Sequence, residues 1–242
     1  MPRILEVCID KIADAEAAVE AGAHRLELCA SLNEGGLTPS AGSLLAYSQI
    51  NCAASVMIRP RAGNFVYTTK EIDIMMDDIK YVKSLGFYGV VFGTLTPDNE
   101  LDTRAMRRLM SVSGGLSVTL HRAFDFIEDQ YQALEQAISL GIDRILTSGG
   151  RNTAIEGMNV LEVLVGKAEE GIQIMPGSGI TPTNIVELMK IDGINEYHAS
   201  CKSKVVVETN NSAISLGTGN ALSEFQTDSR KVKACIAALN SS

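Results

Sequence analysis

Tryptophan is absent from this chain, and among its 242 residues there are only three histidines and six prolines. No apolar run approaches the ~18 residues that a membrane-spanning helix needs, so no membrane span is expected. Basic residues are in deficit: 21 Lys and Arg stand against 29 Asp and Glu, a net charge of −8. That balance argues against general binding to nucleic acid or to anionic membranes. No Pro-, Gly- or Ser-rich linker divides the chain, so residues 1–242 are expected to form a single domain. No G-x-G-x-x-G follows the first strand pattern, which removes the fingerprint of dinucleotide binding. No C-x2-C pair is present, which removes the commonest spacing of a zinc site. Five cysteines at irregular spacing suit a reducing cytosol better than a disulfide scaffold. Met1-Pro2-Arg3 runs straight into a strand pattern, so no secretory leader is read and a cytoplasmic location is expected.

What is present is a repeated phrase. Leu5-Glu6-Val7-Cys8 and Leu26-Glu27-Leu28-Cys29 share one frame and are separated by a helical pattern, Lys11 to Ala21. Side chains alternate along a strand, so in each copy Glu and Cys share one face and the aliphatic residues the other. A strand–helix–strand unit of this length forms a right-handed crossover with parallel strands. If those strands are neighbours, Cys8 and Cys29 approach each other at the carboxyl ends, where α/β proteins place their chemistry. A cysteine alone is more simply a small buried hydrophobe. A carboxylate on the same face is harder to explain that way, because buried carboxylates need a partner or a task.

The strand–turn–helix pattern then recurs. Strands are expected at Ile4–Cys8, Arg25–Cys29, Ala54–Ile58, Gly89–Gly93, Leu116–His121, Asp143–Thr147, Ile172–Met175 and Glu196–His198. Helical patterns follow each, several closed by glycine: Gly22, Gly86 and Gly141. Thr38 is the expected cap of the second helix, Thr69 of the third, and Thr181-Pro182 the opening of the seventh. Residues 200–219 are expected to be a polar loop carrying a strand at Val205–Val207. Eight such units in this length specify a (β/α)8 barrel in preference to an open doubly wound sheet.

In a barrel the polar residues near strand ends point into the mouth. These are Glu6 and Cys8; Arg25, Glu27 and Cys29; Met57, Arg59 and Arg61; Thr119 and His121, followed by Arg122 and Asp125; Thr147 and Ser148; Met175 and Ser178; and Glu196, His198 and Ser200. A one-residue slip would invert any of these assignments. Arg25 and Glu196 sit at strand beginnings and are better read as a buried ion pair at the barrel floor. Met57 and Met175 are better read as core filler. His24 reads as surface, and Cys52 as near the bottom. His121 and His198 each end a strand and, with Glu6 and Glu27, are the acid–base candidates. The turns Thr147-Ser148-Gly149-Gly150 and Gly177-Ser178-Gly179-Ile180 expose backbone N–H groups, so Ser148, Gly177, Ser178 and Gly179 join Arg59 and Arg61 as candidates for a small anion. For either arginine a structural salt bridge is the competing role. Two thiolates with methionine and histidine nearby form a soft donor set, suited to Cu(I) over Mg or Ca.

Taken together, Leu5–Cys8, Gly22–Cys29, Glu34–Ser40, Met57–Arg61 with Gly63, Phe65 and Tyr67, His121–Asp125, Ile145–Gly149 and Pro176–Ile180 resemble the CutC copper homeostasis family over nearly the whole chain. Leu120 and His24 depart from that family's usual phenylalanine and aspartate. The resemblance implies a cytoplasmic, self-associating barrel (dimer or tetramer) that handles copper(I), with Cys8 and Cys29 matching the cysteines to which the family's animal members owe copper binding. The alternative is a barrel enzyme, a lyase or isomerase, acting on a small anionic or phosphorylated substrate.

Overall fold

The computed structural model of the protein describes residues 2–206 and 223–241. The chain runs β1 (Ile4–Ile9), α1 (Ile12–Glu20), β2 (Arg25–Leu28), α2 (Ala41–Tyr47), β3 (Ala53–Met57), α3 (Thr69–Ser84), β4 (Gly89–Phe92), α4 (Thr103–Ser113), β5 (Ser117–Leu120), α5 (Gln130–Ser139), β6 (Arg144–Thr147), α6 (Met158–Ala168), β7 (Gln173–Pro176), α7 (Ile185–Leu188), β8 (Glu196–Ala199), β9 (Lys202–Val206), β10 (Ser223–Thr227) and α8 (Ser229–Asn240). Among the described residues, eight strands form one parallel sheet in the order β7-β6-β5-β4-β3-β2-β1-β8, and β7 lies against β8 to complete the ring. This is the (β/α)8 barrel that the eightfold repeat specifies.

The strands are nearly continuous apolar runs because both faces of a parallel barrel are covered. Leu5, Val7, Ile9, Leu26 and Leu28 point outward and are fully buried with Ala15 and Ala18 of α1. Each such aliphatic side chain contributes roughly 1.5–3 kcal/mol on burial. The inward face alternates with it and carries the charged and sulfur-bearing residues. Register fixes their heights: Glu6 sits opposite Arg25 on one side and His198 on the other, and Cys8 sits opposite Glu27.

Local capping explains where the boundaries differ from the sequence pattern. Helix α2 starts two residues later than expected, because the Ser40 hydroxyl takes the Ser43 N–H at 3.1 Å, while Thr38 Oγ1 accepts the Arg59 N–H at 2.9 Å. Thr68, not Thr69, caps α3, in a reciprocal capping box with Glu71. The segment opening at Thr181 is mostly turn, and α7 is four residues long. The expected strand at 205–207 lies in β9, whose partner β10 the sequence pattern did not indicate; Val207 is outside the described residues. No helix among the described residues is long and apolar enough to cross a membrane.

Candidate functional site

The site is built on a column of charge that fills the barrel from its floor upward. At the bottom, Arg144 Nε donates to Glu196 Oε2 at 2.9 Å, and its Nη1 donates to Ser117 Oγ at 2.7 Å. Arg25 bridges the same Glu196 carboxylate to that of Glu6, with Nε 2.5 Å from Glu6 Oε2. The second oxygen of Glu6 lies 2.8 Å from His198 Nδ1, and His198 Nε2 lies 3.7 Å from Glu27 Oε2. Cys29 Sγ then approaches Glu27 Oε2 at 3.5 Å. Each charge meets an opposite neighbour, which is what permits so many in the interior. The floor pairing of Arg25 with Glu196 is the one expected from their places at strand beginnings.

Protonation follows from this arrangement. Burial would raise the Glu6 carboxyl, but the Arg25 guanidinium, helped by His198, outweighs it and holds the pKa down at about 2. Burial works against a charged His198, yet Glu27, then Cys8 and Glu6, crowd the ring and hold its pKa well above the ordinary value. Burial raises Glu27 and, with the neighbouring Glu27 charge, raises the Cys29 thiol.

Above the column opens a cavity of about 520 Å³. Cys8, Glu27, Arg59, His121 and His198 line it, with Met57, Phe65, Leu146 and Ile180 as apolar wall and Ser178, Gly179 and Ser200 near its rim. Cys8 also borders a second cavity of about 240 Å³ toward Asp10 and Phe225, so the residue is shared by the two. Five candidates sit apart from the main cavity: Ser148 and Gly177, in the turns described below, and Glu6, Cys29 and Arg61. Glu6 is one layer below it. Cys29 packs behind its wall with Met57 and Val91. Arg61 is outside, held by Glu71 at 2.5 Å and by the carbonyls of Asn64 and Val66.

The candidate anion turns behave differently from one another. At the end of β6, Leu146 rather than Thr147 lines the cavity, one residue out of the expected phase, and Thr147 Oγ1 donates to Asp125 instead. The turn's N–H groups are already occupied by a carboxylate of the chain itself: Asp125 Oδ1 accepts from Ser148 N and Gly150 N, both at 3.0 Å. Ser148 Oγ is likewise engaged by Asp125, Arg122 and the Arg151 carbonyl. After β7, Ser178 donates its hydroxyl to Asn152 O at 2.6 Å, and Gly177 is buried where a Cβ would come within 2.4 Å of Leu146.

Among the described residues, one group of three donors can reach a common ion: Cys8, Glu27 and His198, whose ligand atoms lie within 4.8 Å of one another. His198 is oriented for this by Glu6, which takes Nδ1 and leaves Nε2 facing the other two. A carboxylate behind a histidine is the usual support of a metal-binding imidazole. His121 is different in kind. Burial and then the Arg59 charge push its pKa down to about 3, so the ring is neutral. Its folded pKa lies below the unfolded value, so its contribution is intact above about pH 6.5 and is lost as pH falls from there toward about 3. Chemical denaturation is expected to show stability falling by up to about 1.4 kcal/mol per pH unit between pH 6 and 4.5. His121→Gln should flatten that window; an unchanged slope would contradict a neutral buried ring.

The CutC family model matches residues 3–203. The chain belongs to the CutC family. It is 43% identical to a CutC family protein of Parabacteroides distasonis over 98% of this chain and 100% of that one. It is 40% identical to the human protein named copper homeostasis protein cutC homolog, over 95% of this chain and 86% of that one. A solved CutC structure from Streptococcus agalactiae superposes with a TM-score of 0.78 at 35% identity, covering 82% of this chain and 98% of that chain. A phosphoribosylanthranilate isomerase from Thermotoga maritima, 12% identical, superposes at 0.59 over 99% of this chain and 98% of its own, a likeness of fold alone.

In this CutC chain one site residue escaped the sequence pattern. Arg144 is the second cation of the floor, and its signal was there: like Arg25 it opens a strand. Asp125, expected at the mouth beyond His121, is there, but its task of holding the β6 turn is not announced by spacing.

Proposed function

We propose that this CutC chain binds copper(I) as cargo in copper homeostasis, with Cys8 as the anchoring thiolate and His198 Nε2 as its second donor. The convergence of Cys8, His198 and Glu27 supports it most directly. Thiolate and imidazole are donors that copper(I) accepts, whereas a carboxylate alone would favour harder ions. Cys29, which reaches the same Glu27 carboxylate from behind, is the second thiolate in this proposal, joining when it leaves Glu27. Cys8 borders two cavities, which supplies a route in and out. A cytoplasmic location and a homo-oligomeric state go with this function, and fractionation and light scattering would check them.

Titration of Cu(I) against a chromophoric chelator is the direct test. Wild type is expected to take up one ion per chain. Cys8→Ser and His198→Asn should each weaken binding by at least about tenfold, on the scale by which ligand-shell changes act. Cys29→Ser should weaken it as well. Affinity unchanged in both Cys8→Ser and His198→Asn would remove the site.

A further inference from the structure

Arg59 is 5% exposed, always charged, and forms no ion pair with a carboxylate among the described residues. Its Nη1 donates to the carbonyls of Glu34 at 2.7 Å and Gly36 at 3.0 Å, and its Nη2 to that of Gly63 at 2.8 Å. Its Nε is buried with no partner. Carbonyl dipoles position the guanidinium without neutralising it, and a buried charge ordinarily has a counter-ion. A second donor waits nearby. The Phe65 ring lies 5.0 Å from Arg59 Cζ and 4.8 Å from the His121 ring. His121 Nδ1 accepts the Ala123 N–H at 3.2 Å, so the neutral ring carries its proton on Nε2, which is also buried and unpartnered. A third orphan, Glu27 Oε1, has no partner either. All three residues line the 520 Å³ cavity, whose volume is that of a small-molecule site, about 300–1,000 Å³, and far exceeds what one ion fills.

From these three orphaned atoms we infer that the cavity binds a small organic carboxylate that also carries a hydroxyl or amino group. The carboxylate would take the N–H groups of Arg59 Nε and His121 Nε2, the hydroxyl or amine would donate to Glu27 Oε1, and the carbon skeleton would pack on Met57, Phe65 and Leu146. A phosphate ester fits less well. It needs more donors, and Arg61 is committed to Glu71, Ser148 to Asp125 and Ser178 to Asn152. Leaving such buried groups unpaired is costly, so a ligand that satisfies them gains both affinity and discrimination.

The test uses the full chain, freed of metal with a chelator, so that its outcome is separate from that of the copper titration. A panel of three- to six-carbon 2-hydroxy and 2-amino carboxylates is titrated by calorimetry, each beside its methyl ester, with inorganic phosphate as a further probe. At least one acid is expected to bind, its ester at least tenfold more weakly. His121→Phe should lose at least tenfold in affinity, while His121→Gln, which keeps a donor, should retain most of it. Arg59→Met should lose binding too, but it also releases the loop carbonyls, so the two His121 variants decide the matter if it does not fold. The inference is overturned if no acid binds at 10-millimolar order, if esters match their acids, if phosphate binds as tightly as the best acid, or if His121→Phe binds like wild type.

Discussion

Arg25→Met is expected to destabilise the barrel by about 3–5 kcal/mol, the cost of breaking a buried ion network from one side. Arg25 is the only described cation that touches both Glu6 and Glu196, and its side chain is 5% exposed against 1% and 13% for theirs. Methionine fills much of the same volume beside Met175, so lost packing is a small part of the effect. What remains is a Glu6 carboxylate held by His198 alone, and a Glu196 carboxylate held by Arg144 alone. Single domains are stable by only about 5–15 kcal/mol, so the variant should unfold at markedly lower urea. Adding Glu6→Gln removes the stranded charge, and the double variant should recover part of the loss, a non-additivity expected of partners in one network. A cost below about 1 kcal/mol for Arg25→Met would show that the floor network is not what holds these strands together.

The same network shows how far the sequence could be read. The repeated Leu-Glu-x-Cys frame established that Glu6, Cys8, Glu27 and Cys29 face inward, because parity along a strand is a local property. The pairing of Arg25 with Glu196 was legible from their places at strand beginnings. The partnership of Glu6 with His198 was not, since 192 residues separate them and only the β1–β8 register brings them together. The repeat also suggested two equivalent cysteines. Barrel stagger makes them unequal: Cys8 lies opposite Glu27 and borders the cavity, while Cys29 lies a step further along β2 and packs with Met57 and Val91. Arg59 and Arg61 look alike in Arg-Pro-Arg, yet one is buried without a carboxylate and the other sits on the surface of α3 with Glu71. The difference depends on loops at 34–36 and 63 that wrap the first guanidinium, and no spacing rule encodes it.

Asp125→Ala is the second change expected to act strongly, costing about 2–4 kcal/mol. The Asp125 carboxylate accepts from Thr147 Oγ1 at 2.5 Å, Ser148 Oγ at 3.0 Å, Ser148 N and Gly150 N at 3.0 Å, and Arg122 Nε at 2.7 Å. Gly149 and Gly150 both hold φ of +67°, a conformation that turns successive N–H groups to one side, as in an anion-binding nest. The glycine-rich turn that looked like a phosphate site is therefore already filled, by the chain's own anion. Removing it strands several buried donors, each worth about 1–3 kcal/mol when unsatisfied, with entering water offsetting part of the total. Asp125→Asn should do little better than alanine, because half of the amide would point a donor at donors. A vacated carboxylate space should also accept a small carboxylate from solution, and a ligand that binds only the folded state raises its stability. Formate is therefore expected to raise the melting temperature of Asp125→Ala more than that of wild type, with chloride at equal ionic strength as the control. Equal responses in the two proteins, or a substitution cost under about 1 kcal/mol, would mean that the turn keeps its shape without an anion.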